Sequence, residues 1–518
     1  MKKKILYAFC MIISIMLLFN TYIYASTNDK SNNAKKIALG RIHSMVIRND
    51  GKVFSWGGSD LGQLGIDGIR KYEDIKTPSV INSLENVKMI ASKGSDCAAL
   101  KYDGTVWVWG GSQLGDGTRR INNPITKPTK VENVSNIVDI SVGGVSLYVL
   151  KNDGTVWSWG YNMQGQLGNG TTNDSFKPGK IKGLSNIVSI SAGNYHVAAL
   201  DSKGNVWTWG YNQYGQLGNG TILNSEVPTK VNGLSDVIAI SSGGNHTLVL
   251  KKDGTVWETG IRIISDLEDE TKYSVIFKKV DGLNNIISIA AGDNHSLALK
   301  DDGTVWAWGT NSYGCIGDGT KESKENPVII KNLSDIVSID AGYFHSLAIK
   351  KDGTIWTWGS NQFGQLGNGL DGLESNSLSP EQILDTNTLI YKNQIVLEIN
   401  NPKMNVNGTE YEIDPGKSTA PTYIKGKTCL PIRALIEKMG GTVDWQGSES
   451  KITINYNSKK NELWINSLNT KVNGEEKAIE VAPQAINGKT MIPLRYIIEN
   501  LGLNLIWDSQ TQQIIIQY

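Results

Sequence analysis

The sequence predicts an all-β seven-bladed β-propeller followed by a small α+β C-terminal domain made of a tandem repeat. Three observations carry that prediction. A unit of roughly 50 residues recurs from Ile37 to about Leu384, with copies beginning at Ile37, Ile90, Ile140, Ile190, Ile240, Ile289 and Ile339. Each copy holds short β-branched or aromatic runs bounded by Gly, Asn and Ser, the pattern of strands rather than helices. After the tryptophan period stops, a longer repeat begins whose matching residues lie 62 apart.

In chain order, Lys2, Lys3 and Lys4 precede an apolar run from Ile5 to Phe19, and Ala25 offers a small residue before Ser26. This is the three-part pattern of a secretory signal peptide over 1–25, with an uncleaved membrane anchor as the alternative. A short linker is expected at 26–36, the propeller at 37–384, a second linker at 385–400 and the C-terminal domain at 401–518. From Ser26 onward, 48 basic residues face 50 acidic ones, so no basic footprint for nucleic acid is present. Cys10 falls in the leader, and Cys97, Cys315 and Cys429 lack both metal-ligand spacing and a disulfide framework.

Within the fourth copy, "IVSISAG" (187–193), "HVAAL" (196–200) and "NVWTWG" (205–210) read as strands, and "PTKV" (228–231) as a weaker fourth. Four strands per unit, repeated seven times, fit propeller blades. Asp-Gly pairs at 50–51, 103–104, 153–154, 253–254, 302–303 and 352–353 mark two-residue hairpins, with Gly supplying positive φ and Asp tolerating it. Lys203-Gly204 deviates.

All five histidines, His43, His196, His246, His295 and His345, stand six residues after the starting Ile of their copies. A catalytic site needs dissimilar groups converging on one place, so a group duplicated around a ring is expected to do a structural job once per blade. The pairs Trp107/Trp109, Trp157/Trp159, Trp207/Trp209, Trp306/Trp308 and Trp356/Trp358 are two apart on a strand, share one face, and are expected to fill the space between neighbouring sheets.

A Gly, two variable positions, His, an aliphatic run, Asp-Gly, then "VWTWGYNQYGQLGNGT" resembles the repeat of the regulator of chromosome condensation family, over about two thirds of the chain. The resemblance implies a seven-bladed propeller of four-stranded blades. It does not carry over the nuclear founder's guanine-nucleotide exchange, since the leader predicts export. The family also includes a secreted bacterial propeller that inhibits β-lactamases, and "AGYFHSLAI" (341–349) is similar to its repeat.

In an up-and-down blade the loops joining strands one to two and three to four share one end, and there the copies disagree. Arg41-Ile42, Asn194-Tyr195, Gly244-Asn245, Asp293-Asn294 and Tyr343-Phe344 lie between the Gly and His positions, and Tyr161, Tyr211, Tyr214, Tyr313 and Phe363 follow Trp-Gly. Varied aromatic and polar residues on a rigid face suit partner recognition. The candidate partner-binding residues are therefore Arg41, Asn194, Tyr195, Asp293, Asn294, Tyr343, Phe344, Tyr161, Tyr211, Tyr214, Tyr313 and Phe363. The fifth copy loses "WG" and "GQLG" for "ETGIRIISDLEDETKYSVIF" (258–277), a decayed blade or a specialised acidic loop.

In the C-terminal domain "APTYIKGKTCLPIRALIEKMGGTVDW" (420–445) reappears as "APQAINGKTMIPLRYIIENLGLNLIW" (482–507). Each copy reads as hairpin, strand, short helix and alternating strand. This motif resembles the stalk-type domain at the N-terminus of copper amine oxidases. No histidine occurs from Asp385 to Tyr518, so the imidazole ligands of a copper centre are missing and the resemblance implies a shape. Arg433/Glu437 and Arg495/Glu499, four apart on the expected helices, are expected to tie helix to sheet.

These features predict a non-enzymatic, secreted or cell-surface protein of a Gram-positive type of bacterium. Its propeller would bind an extracellular protein or a cell-wall component, with no nucleic acid, no metal, no cofactor, and membrane contact only through an uncleaved leader. The alternatives are an inhibitor of a secreted hydrolase such as a β-lactamase, exchange-factor-like activity by resemblance only, and an enzyme acting on cell-wall carbohydrate.

Overall fold

The computed structural model describes residues 34–48, 51–69, 72–111, 115–120, 124–261, 273–383, 394–406, 409–457, 459–486, 488–501, 503–508 and 513–518. The expected signal peptide at 1–25 lies outside them. Two compact units are present.

The first unit holds seven four-stranded antiparallel sheets, each built from four strands consecutive in sequence. In the fourth blade these are Ile187–Ala192, His196–Asp201, Val206–Gly210 and Ser225–Lys230. The second strand is buried along its whole length, whereas the fourth is half-buried to exposed. That gradient explains why the fourth strand was the weakest in sequence: it packs on one side only, so its residues need not be apolar. The apolar cores lie between sheets, as where Tyr148, Leu150 and Val156 of one blade meet Ile190, Val197 and Trp209 of the next.

The turns joining strands two and three differ from the two-residue hairpins expected. Lys251 N–H donates to Thr255 O, and Gly254 N–H to Lys251 O, so three residues form a type I turn closed by a left-handed Gly254 with φ 77°. Only the Gly takes positive φ. Asp253 instead accepts from the Thr255 backbone N–H and hydroxyl through one oxygen. Where Lys203-Gly204 breaks the pattern, Asp201 moves the carboxylate two places earlier and accepts from the N–H groups of Lys203 and Asn205.

The Trp pairs also divide in role. The second member is at most 1% exposed in Trp56, Trp109, Trp159, Trp209, Trp308 and Trp358 and fills the space between blades. The first is half-buried at the hairpin end. Trp157, Trp257 and Trp356 each donate Nε1–H to the Thr two residues before and lie under a Lys ammonium. Both members therefore pack between sheets, the second fully buried and the first partly: Trp107, Trp157, Trp207, Trp306 and Trp356 lie against the apolar clusters that neighbouring blades share.

The fifth blade retains its four strands. Thr259 stands where the second Trp would be, and Phe277 from the fourth strand, 7% exposed, takes the ring's place against Gly218. Residues 262–272 of the divergent loop lie outside the described residues.

The second unit places its strands in three sheets around one apolar core. A central sheet joins the two copies through Lys427–Pro431 paired antiparallel with Lys489–Pro493, and the helices Arg433–Lys438 and Leu494–Asn500 follow from those strands. The expected linker at 385–400 is corrected here: Gln394–Glu398 is a strand, paired along its length with the chain's last strand, Gln513–Gln517. It occupies the position that Lys459–Trp464 holds in the other five-stranded sheet. A repeat cut at the wrong point in its cycle conceals this, because its first hairpin precedes the obvious motif. Arg433–Glu437 at 3.4 Å and Arg495–Glu499 at 3.1 Å lie on the outer helix surfaces, more than half exposed. They do not tie helix to sheet.

Candidate functional site

The histidines are latches between blades. His196 Nε2 lies 2.9 Å from Thr247 Oγ1, His246 Nε2 3.0 Å from Ser296 Oγ, and His295 Nε2 2.9 Å from Ser346 Oγ. His345 reaches Ser44 Oγ at 3.0 Å, so the same contact closes the seventh blade on the first. Among the described residues no strand is exchanged across that closure; instead Tyr343 N–H donates to Gly40 O and Trp56 Nε1–H to Gln365 O. Each latch requires a glycine three residues before the His, since a Cβ at Gly193 would stand 2.4 Å from His196 Cε1 and from Gly243 O.

Burial holds four of the imidazoles neutral. It lowers His43, His196 and His295 to about 3 and His345 to about 4, with the charges of His345 and Lys93 as secondary causes where they act. His43 has a thiol within reach, Cys97 Sγ at 3.1 Å, with Ser92 Oγ beside both. This contact has the composition of a nucleophile–base pair and the opposite electrostatics. Burial pushes the Cys97 thiol up and the imidazole down, so neither charged form is favoured, and both are shut off from solvent.

With the repeated groups engaged in packing, the variable loops form the open face. Asn194, Asp293 and Tyr343 come from three different blades and meet over the axis: Asn194 Nδ2 donates to Asp293 Oδ1 at 2.7 Å and Tyr343 OH to Asn194 Oδ1 at 3.1 Å. Asn294 donates to the other Asp293 oxygen. Burial raises Asp293, opposed by the charge of Lys93, the Asn194 hydrogen bond and the charge of Arg41. Arg41 is exposed beside this cluster, its backbone N–H bonded to Gly94 O. Tyr343, half-buried, is raised by its burial and then by Asp293.

The aromatic candidates fall into three groups. Tyr195, 43% exposed, meets Tyr211 edge-on at 6.4 Å, and Tyr211 meets Tyr214 at 6.1 Å. Tyr313 and Tyr343 flank Phe344 at 5.1 and 6.2 Å. Tyr161 packs edge-on against Phe176 and carries Arg119 over its ring. Phe363 is half-buried and stands apart from these groups. Met163, Ile222 and Leu223 add exposed apolar surface near Tyr211 and Tyr214, where Asn224 Nδ2 bonds Gln164 Oε1 across two blades.

Two sets of residues escaped sequence reasoning. The Asn two residues past the Trp-Gly glycine, at 162, 212, 311 and 361, is fully buried and braces the long loop: Asn212 Nδ2 donates to Thr221 O and Leu223 O, and its Oδ1 accepts from Leu217 N–H. Recurrence at one repeat position was the available signal. The axis also holds charges, buried or half-buried, on and beside the inner strands. Lys93 Nζ donates to Ser242 O across the ring, Asp340 accepts from Leu39 N–H, and Lys35 pairs with Asp139. Burial lifts Asp340 to about 7 and drops Lys35 to about 7. Among the described residues no group of three or more His, Cys, Asp or Glu could hold a metal ion, and no helix is long and apolar enough to cross a membrane.

Residues 21–267 match the RCC1-like domain, and residues 286–315, 336–365, 302–349 and 352–391 match the regulator of chromosome condensation (RCC1) repeat. Residues 405–516 match the copper amine oxidase N-terminal domain. The RCC1 domain-containing protein RUG3, mitochondrial, of Arabidopsis thaliana is 40% identical over 80 residues, covering 15% of this chain and 17% of that protein. The ultraviolet-B receptor UVR8 of the same plant is 35% identical over 94 residues, covering 17% and 21%. The chain thus spans only a small part of these curated relatives. Among solved structures, Prp20p from Saccharomyces cerevisiae, described with its binding to Gsp1p and histones, superimposes with a TM-score of 0.59 at 26% identity, covering 67% of this chain and 90% of that one. Human WBSCR16 gives 0.55 at 22% identity over 61% and 87%, a likeness of fold alone.

Proposed function

The chain carries an RCC1-like propeller followed by a copper amine oxidase N-terminal domain, and from that premise we propose that it is a secreted or cell-surface, non-enzymatic protein-binding propeller presented on a stalk-like domain. One observation carries the reading. The groups that could do chemistry, the imidazoles and the Cys97 thiol, are buried, neutral and engaged between blades, which leaves a static face of aromatic and amide side chains suited to contact. The Tyr195, Tyr211 and Tyr214 group, with the exposed Met163 and Leu223, is the aromatic part of that face. The partner is an extracellular protein; inhibition of a secreted hydrolase is one consequence such binding could have.

Capture from culture supernatant and cell-wall extract by the immobilised full chain, run beside a Tyr195→Ala/Tyr211→Ala/Tyr214→Ala variant, tests this. A partner held by the wild type and lost by the triple variant supports the reading, and an activity assay of the captured protein decides whether binding inhibits it. Equal capture by both chains rules out this face.

A further inference from the structure

The C-terminal domain has a groove of about 430 Å³ that the proposed propeller interface does not use, within the range of about 300–1,000 Å³ typical of small-ligand sites. The hairpin turn at Tyr423, Lys427 and Thr428 of the first copy forms one wall. The helix residues Arg495, Tyr496 and Glu499 and the strand residue Trp507 of the second copy form the other, with Glu480 at the margin. Tyr423 is 54% exposed, and Trp507 is half-buried.

Its charges are balanced pair by pair: Lys427 with Glu480, and Arg495 with Glu499 at 3.1 Å. A polyanion entering would meet both carboxylates and a polycation both cations, so the field selects neither. Each pair still offers N–H donors and carboxylate acceptors in fixed positions, the complement of a ligand dense in hydroxyl and amide groups. The aromatic rings give electron-rich faces against which weakly positive C–H groups settle.

The tandem repeat supplies an independent comparison. A second groove related by the repeat would draw its hairpin from residues 485–490 and its helix from residues 433–437. The scaffold residues are shared, with Arg433, Glu437 and Trp445 matching Arg495, Glu499 and Trp507. The aromatic residues are not: Tyr423 and Tyr496 are answered by Ala485 and Ala434. The copies therefore differ where one groove gains its aromatic wall. We propose that this groove binds an uncharged, β-linked polysaccharide strand of the N-acetylglucosamine type, with Tyr423 and Trp507 against the sugar faces and Arg495, Glu499 and Glu480 on its hydroxyl and amide groups.

Isothermal titration of the full chain with chitopentaose, the β-1,4-linked N-acetylglucosamine pentamer, tests this directly. Saturable binding that survives high salt is expected. Tyr423→Ala should weaken it about tenfold or more, Tyr423→Phe should retain it, and Trp445→Ala, at the related position in the other copy, should leave it unchanged. Tyr423 is exposed, so a thermal melt of its variants confirms that folding is intact. No saturable binding by the wild type, binding untouched by Tyr423→Ala, or a preference for polyglycerol phosphate that vanishes in high salt each overturns the proposal.

Discussion

Acidification from pH 7 to pH 5 should destabilise the propeller through its histidine latches. Four of them, His43, His196, His295 and His345, are lowered from 6.5 to about 3 or 4 by burial. A base whose folded pKa lies below its unfolded value contributes full stability above the unfolded pKa. The contribution declines as pH falls below 6.5, because the unfolded chain takes up the proton first, and the loss levels off near the folded value. Each latch then gives up about 2 kcal/mol by pH 5, or roughly 8 kcal/mol for four. Asp340 acts the other way: its carboxyl, raised from 3.8 to about 7, binds a proton in the fold over the same interval and returns about 2 kcal/mol. Asp293, also raised, adds to that return. The net loss is on the order of 5 kcal/mol.

Urea unfolding at pH 7, 6 and 5 measures it, and the C-terminal domain, which has no histidine, serves as a reference in the same chain with little change over that interval. His295→Gln should reduce the pH slope by about one proton. A propeller midpoint that stays level or rises toward pH 5 would refute the latch reasoning.

Three further outcomes are expected. Trp209→Ala should cost about 3–5 kcal/mol, as large aromatic truncations in cores do, while Trp207→Ala, at the half-buried rim, should cost about 1–2 kcal/mol; equal losses in denaturant melts would contradict the division of the pair. Gly193→Ala drives a Cβ into the His196 ring and Gly243 O and should cost about 1–3 kcal/mol, against no loss if the latch has room to shift. The Tyr195→Ala/Tyr211→Ala/Tyr214→Ala variant should melt within a few degrees of the wild type, since its side chains lie on a half-exposed face; a large drop would make that face structural.

The blade count, strand order and buried Trp can be read in the sequence because the copies share a period of roughly 50, with Thr259 of the fifth the one exception among the buried Trp. What the period could not supply was partners. That His196 faces Thr247 rather than a ligand depends on how neighbouring blades abut, which one repeat taken alone does not contain. The three-residue turn at Lys252–Gly254 was missed because Asp-Gly signals a turn without fixing its length. That Tyr343 reaches Asn194 across the axis likewise depends on how distant blades face each other. The axial Asp340 and Asp139 occupy inner-strand positions where the fourth blade has Ser191 and Ser189, so disagreement between copies marks the axis as well as the loops. In the C-terminal domain the conspicuous Pro-Arg-Glu-Trp spacing begins after the first hairpin of the repeat, so the strand Gln394–Glu398 carries no matching signal.

The most direct measurement is a pH titration of the histidine imidazoles by nitrogen-15 resonance in the intact chain. If the repeated histidines hold blades together, His43, His196, His295 and His345 keep neutral, single-tautomer signals from pH 8 down to pH 5. Any of the four titrating near pH 6.5, with its fold intact, would show an accessible imidazole and contradict the assignment of these groups to the ring itself.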